Sequence, residues 1–241
     1  LGKDYKAQFE RVEKELRFVF SLQKLSMSII ARPERNSITA VIYNFADGAA
    51  LERYMQQQLL HLGKTSIVYG CTMASSITEL DSAFQKLYPY MDWNISFDEE
   101  ILISYPKIMH VQTMPCIYPI ETEARCKVAV CTNKWSKVEE CIAEFQDSFS
   151  DGKLYEPKEI KECYVRFLWA IIGIAKEIGV LKQEQLQQQL ILEMIANAKR
   201  REELTAVVNC VMNGVKTEQE DGVTHLTVKR VLNMIHEFYQ S

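Results

Sequence analysis

The sequence is poor in the residues from which catalytic and metal sites are usually assembled. It has four histidines, His61, His110, His225 and His236, and none stands at ligand spacing from a cysteine. A zinc site therefore has no local framework, and a Ser-His-Asp or Cys-His nucleophile site has little material. No G-x-G-x-x-G, H-E-x-x-H or G-x-S-x-G occurs. Gly63-Lys64-Thr65 looks like the end of a phosphate loop, but Gln58 stands where that motif needs its first glycine. Gly63 also closes an expected helix rather than opening one, so no helix N-terminus faces a phosphate.

Excess charge of one sign is missing too. Lys plus Arg number 28 and Asp plus Glu 32, a net charge of -4, which gives the chain no electrostatic reason to seek nucleic acid or an anionic membrane. The longest apolar run, Phe167 to Ala175, is far short of the ~20 residues of a membrane span and reads as a buried helix. The start, Leu1-Gly2-Lys3-Asp4, carries no apolar signal segment, and its lack of Met leads us to expect an excised fragment. Seven cysteines, at 71, 116, 126, 131, 141, 163 and 210, form no C-x-x-C pair. Their odd number and apolar settings predict reduced, buried thiols in a cytoplasmic protein.

What remains is an ordinary globular composition, 47% apolar and 25% charged over 241 residues, enough for one large domain or two small ones. Lys3 to Leu25 is helical and highly charged, with Phe9, Val12, Leu16 and Val19 at steps of three and four. That stripe reads either as a short coiled-coil seam pairing two copies in parallel or as an amphipathic helix lying on its own domain. Two β-rich stretches around Arg32 to Asn36 predict a hairpin, and Asp47-Gly48 opens a helix to about Leu62. A strand is expected over Thr65 to Cys71, and Ser75 or Ser76 can cap a helix whose face is marked by Leu80, Phe84, Leu87 and Met91. A last strand is expected over Ile101 to Tyr105.

After Pro115 and Pro119 the pattern becomes helical. Helices are expected from Glu121 to Cys131, along the stripe Trp135, Val138, Ile142, Phe145 and Phe149, from Pro157 to Gly179, and over Gln183 to Ala198, Arg201 to Met212 and Val228 to Tyr239. The aromatic residues Tyr88, Tyr90 and Trp93, with Tyr118 in the Thr113 to Pro119 connection, are the candidates for a ligand site or domain junction, though core or interdomain packing is the commoner use of such a cluster. Acid runs such as Asp98-Glu99-Glu100 and Glu139-Glu140 diverge on the chain and read as solvated faces. Cys126, Cys131 and Cys141 lie on adjacent helices as a candidate thiol sensor, against the simpler reading of buried structural thiols. Lys199-Arg200-Arg201, followed at once by Glu202-Glu203, reads as a helix surface or turn. No catalytic residue, metal ligand or cofactor is assigned.

The order of hairpin, helix, strand ending Val68-Tyr69-Gly70-Cys71-Thr72, helix containing Ala83-Phe84-Gln85-Lys86-Leu87-Tyr88 and short strand resembles the later part of a GGDEF-like domain. The turn that carries the family's signature is replaced here by Arg32 to Ser37, without the paired glycine or the acid pair, which implies that no diguanylate cyclase activity remains. With the leading helix and the helical second half, the whole resembles the middle region of AraC-type bacterial transcription regulators of the response-regulator kind. Val228 to Ser241 is similar to the first helix of their DNA-binding domain.

The resemblance implies an α+β chain in four parts. These are a leading helix over 1–25, a degenerate GGDEF-like α/β domain over 26–112, a helical domain over 113–225 and the start of a helix-turn-helix domain over 226–241. It further implies a non-catalytic signal-relay and dimerisation region of a two-component system. Such a region forms a homodimer, touches DNA only through a domain beyond this chain, makes no membrane contact, and answers to an upstream receiver or sensor domain or to a small ligand. A helical protein-binding scaffold, or an enzyme with a site assembled from distant residues, are the alternatives.

Overall fold

A computed structural model describes residues 2–32, 37–61, 67–97, 102–180 and 188–217. The expected α+β class is what is found. The chain divides into two compact units, one of Leu1–Tyr88 with Glu100–Tyr105, the other of Pro89–Glu99 with Pro106–Ser241. The division is discontinuous, since Ile95 packs with the core of the helices that follow.

The first unit opens with α1 (Gly2–Ser21) and the strands β1 (Ser26–Arg32) and β2 (Ser37–Tyr43). The strands pair antiparallel from Ser26 opposite Tyr43 to Arg32 opposite Ser37, as the hairpin expectation required. The turn between them lies outside the described residues. Asp47 then caps α2 (Gly48–His61), its Oδ1 accepting from the amides of Ala49 at 2.8 Å and Ala50 at 3.2 Å, which satisfies donors that the first turn leaves open.

The strands β3 (Tyr69–Cys71) and β4 (Leu102–Ser104) form a separate parallel pair, which needs a crossover connection, and α3 (Leu80–Leu87) lies within it. A 3-10 turn, Ile77–Glu79, leads into α3 and a longer one, Tyr88–Ile95, replaces the helical continuation to Met91. Ser76 makes no side-chain cap there; the amide of Ser75 donates instead to Glu79 Oε2 at 3.0 Å. Strand β3 is also shorter than expected, since Ile67 and Val68 precede it without strand pairing.

Steps of four bring Val12, Leu16 and Phe20 of α1 onto the face that packs with Leu51, Met55 and Leu59 of α2 and Leu102 of β4. Val19 is buried as well, and Phe9 is half-buried. The stripe considered for pairing two copies is thus the stripe that α1 buries in its own unit. Each such side chain contributes about 1.5–3 kcal/mol when taken from water, so a parallel pairing through Val12 and Leu16 would have to give up that burial. Tyr54 of α2 completes the contact by donating its hydroxyl to the Val19 carbonyl at 2.6 Å.

The second unit is helical: after the single turn α4 (Tyr105–Ile108) come α5 (Ile120–Cys131), α6 (Trp135–Asp147), α7 (Pro157–Glu177), α8 (Gln188–Asn197) and α9, helical over 201–217. Pro157 stands in the first turn of α7, where a missing amide hydrogen costs nothing. At the other end Gly179 takes a positive φ of 74°, and the amides of Gly179 and Val180 return to the carbonyls of Lys176 and Ala175 at 3.0 and 2.9 Å. Asn133 closes α5 by the same device at φ 54°.

The core runs along the expected stripe Val138, Ile142, Phe145 and Phe149 and the apolar run of α7. Phe145 stacks on Phe167 at 4.1 Å and meets Tyr164 and Phe149 edge-on at 5.0 and 5.2 Å. Among the described residues, no helix is long and apolar enough to cross a membrane. The acid run Asp98-Glu99-Glu100, Gly63 with the end of its helix, and the expected helix over Val228 to Tyr239 lie outside the described residues.

Candidate functional site

The densest meeting of reactive and charged side chains in the second unit forms where the irregular segment 114–119 lies along α5 and α7. On α7, Glu159, Cys163 and Arg166 are spaced four and three apart, which sets them on one face of the helix. On α5, Glu123 and Lys127 are likewise four apart. The segment is pinned at its start by the amide of Met114, which donates to the Leu154 carbonyl at 2.8 Å, and then by the amide of Cys116, which donates to Glu159 Oε2 at 2.8 Å.

Two contacts follow from that pinning. The sulfurs of Cys116 and Cys163 come to 3.5 Å. Tyr118 reaches Glu123, donating its hydroxyl to Oε2 at 2.5 Å, while its ring lies under the Arg166 guanidinium at 3.8 Å from the ring centre. Glu123 Oε1 accepts from Lys127 Nζ at 2.6 Å, and Arg166 Nε stands 3.8 Å from Oε2.

The electrostatics match this arrangement. Burial pushes the Glu123 carboxyl up, but the hydrogen bonds from Lys127 and Tyr118 and the charges of Lys127 and Arg166 outweigh it and hold the group below the usual carboxylate range. Burial and the bond to Glu123 push the Tyr118 phenol well above its ordinary value. Both oxygens of Glu123 are therefore engaged by donors, and the group serves to hold Tyr118 rather than to accept a substrate proton. The Cys116 thiol is pushed up by its hydrogen bond to Cys163 and by burial, whereas Cys163 is lowered by that same bond, against its own burial, with the Arg166 charge assisting.

Of the four aromatic candidates, Tyr118 belongs to this cluster and packs near Phe145 at 6.4 Å. The others are distributed elsewhere. Tyr88 falls in the first unit near Phe84 at 6.1 Å, whereas Tyr90 and Trp93 fall in the second, with Trp93 buried near Phe97 at 6.2 Å. The dimerisation candidates Phe9, Val12, Leu16 and Val19 all stand on α1 of the first unit, as described above.

The expectation of buried thiols needs correcting for four residues: Cys131 and Cys210 are exposed, each on the outer face of its helix, and Cys71 and Cys116 are half-buried. Cys126 and Cys141 are buried and the Cys126 thiol is pushed up to about 12 by that burial, so neither has the depressed acidity of a sensor thiol. The pair that the fold does bring together, Cys116 with Cys163, is 47 residues apart in sequence and carries no local signal beyond the helical spacing of Glu159, Cys163 and Arg166.

Of the two readings of Lys199-Arg200-Arg201, the turn is the one found, between α8 and α9, and its residues are half-buried rather than exposed. Lys199 donates to Asp92, and Arg201 donates from Nε to the Ile95 carbonyl at 2.6 Å and from its terminal nitrogens to the Phe149 carbonyl at 2.7 Å and to Ser150. Lys199 is drawn in by the Asp92 carboxylate, and Arg201 by carbonyls at the ends of the 3-10 turn and of α6. No group of three or more His, Cys, Asp and Glu side chains able to hold a metal ion is formed among the described residues.

Compared with protein-family models, with curated proteins and with solved structures, the chain matches none.

Proposed function

We propose that this chain is a non-catalytic, cytoplasmic signal-relay region of a transcription regulator, standing between an upstream sensor or receiver and a DNA-binding domain beyond residue 241. The observation that carries the reading is the element order of the first unit. The order of hairpin, helix, strand, helix and short parallel strand, laid out here as two separate two-stranded sheets, is the one whose sequence resembles the later part of a GGDEF-like domain. The residues from Arg32 to Ser37 carry no glycine pair of the kind that lets a backbone approach a nucleotide phosphate, which supports a non-catalytic role in this reading.

The relay would be two-state. An upstream event biases the region between two states and hence the spacing of the attached DNA heads, by as much as its free energy of interaction differs between the states. Because α1 buries Val12 and Leu16 in its own core, self-association in this reading uses another surface than that stripe.

The test is to join a monomeric DNA-binding domain after residue 241 and measure binding to one half-site and to two. Binding to the paired site tighter than the product of independent half-sites supports a relay that organises two heads. Independent binding, or turnover of GTP by the chain with a divalent metal present, overturns it.

A further inference from the structure

We propose that Cys116 and Cys163 are a reversible dithiol–disulfide pair, oxidised by hydrogen peroxide, that ties the 114–119 segment covalently to α7. The inference concerns the second unit alone and stands whether or not the chain relays a signal to DNA.

The sulfurs already touch at 3.5 Å. A disulfide needs ~2.05 Å, so the bond requires an approach of roughly 1.5 Å. One partner can make that approach and the other can not. Cys163 is fixed inside the 21-residue helix α7 and is 8% exposed, while Cys116 sits in an irregular stretch that, among the described residues, makes one strand-like contact, the bridge from Met114 to Tyr155. Cys116 is also the more accessible of the two, and the hydrogen bond from its backbone amide to Glu159 keeps it over Cys163.

Arg166, three residues on along the same face of α7, favours the ionised form of Cys163, so the first attack is assigned to Cys163 and the resolving step to the more accessible Cys116. The Cys163 sulfur attacks one peroxide oxygen; the O–O bond breaks, hydroxide leaves and takes up a proton to become water, and a sulfenic acid remains. The Cys116 sulfur, losing its proton, then attacks the Cys163 sulfur, the S–O bond breaks, a second water leaves and the S–S bond forms. The two thiols lose two electrons and two protons in all, and the peroxide is reduced to two waters. A small-molecule thiol reverses the bond by exchange.

The experiment uses the full chain carrying Cys131→Ser and Cys210→Ser, which removes the two exposed thiols and leaves five of the seven. After hydrogen peroxide and alkylation, peptide mapping is expected to find Cys116 joined to Cys163, with free thiols falling from five to three and returning to five with dithiothreitol. With Cys116→Ser added, dimedone is expected to trap a sulfenic acid on Cys163. A link between other cysteines, all thiols unchanged, or Cys163 driven to sulfinic acid with no link overturns the pair. A dimedone adduct on Cys116 in Cys163→Ser, with none on Cys163 in Cys116→Ser, overturns the order of attack. The map of the chain that keeps both cysteines decides the pairing without relying on how either serine variant folds.

Discussion

Lys161, in the interior of α7, holds its Nζ 2.5 Å from Asp92 Oδ2 and 2.8 Å from the Ala196 carbonyl, so one buried ammonium joins three segments of the second unit. Lys199 engages the other oxygen of the same carboxylate. Removing Asp92 leaves the buried Lys161 ammonium and that of Lys199 without their carboxylate, which costs about 3–5 kcal/mol, whereas replacing Lys161 with an apolar side chain of similar length leaves Asp92 paired with Lys199 and costs less. Asp92→Ala is therefore expected to lower the urea midpoint far more than Lys161→Met. Tryptophan fluorescence reads this directly, because Trp93, Trp135 and Trp169 all belong to the second unit. Equal effects from the two variants would show that the ion set contributes packing alone.

Leu16 and Phe18 make a second comparison, within α1. Leu16 is 7% exposed in the core of the first unit and Phe18 is 66% exposed. Leu16→Ala is expected to destabilise the first unit by about 2–5 kcal/mol, through lost burial and the cavity left behind. Phe18→Ala should stay within about 0.5 kcal/mol. Hydrogen exchange of the α2 amides, which lie across from Leu16, is the readout, and faster exchange in the Phe18 variant than in the Leu16 variant would contradict the burial.

The aromatic centre of the second unit should dominate its stability. Phe145 contacts Phe167, Tyr164 and Phe149 and is fully buried. Phe145→Ala is expected to cost about 3–5 kcal/mol, and Phe145→Leu less, since it keeps most of the volume. Thermal unfolding of both variants beside the parent chain tests the order.

Acid and alkaline limits of stability follow from two different groups. Glu123 is held below the usual carboxylate range, so its contribution is full above the ordinary carboxyl value and is lost as pH falls through the lowered one. Tyr164 is pushed from 10.0 up to about 12 by burial. Its contribution is full below pH 10.0 and is lost as the pH rises toward about 12, because the unfolded phenol ionises first. A two-unit shift corresponds to about 3 kcal/mol. Glu123→Gln should flatten the acid side of a plot of urea midpoint against pH, and Tyr164→Phe the alkaline side; an unchanged profile in either variant would refute the corresponding cause.

The sequence by itself determined the α+β class, the hairpin, the capped start of α2, the stripe from Val138 to Phe149 and the buried run of α7. Each of these depends on periodicity, caps and turn residues, which act over a few positions along the chain. What α1 does with Val12 and Leu16 was open in the sequence, because the same three-and-four spacing serves a helix pair or a helix on its own sheet and α2. Only the tertiary structure decided that, by supplying Leu51, Met55 and Leu102 as the covering surface. It also decided that Lys199 and Arg201 turn inward and that Cys116 meets Cys163. Those contacts join residues 47 to 107 positions apart. Their partners are set by how whole helices pack, and a local pattern carries no record of that.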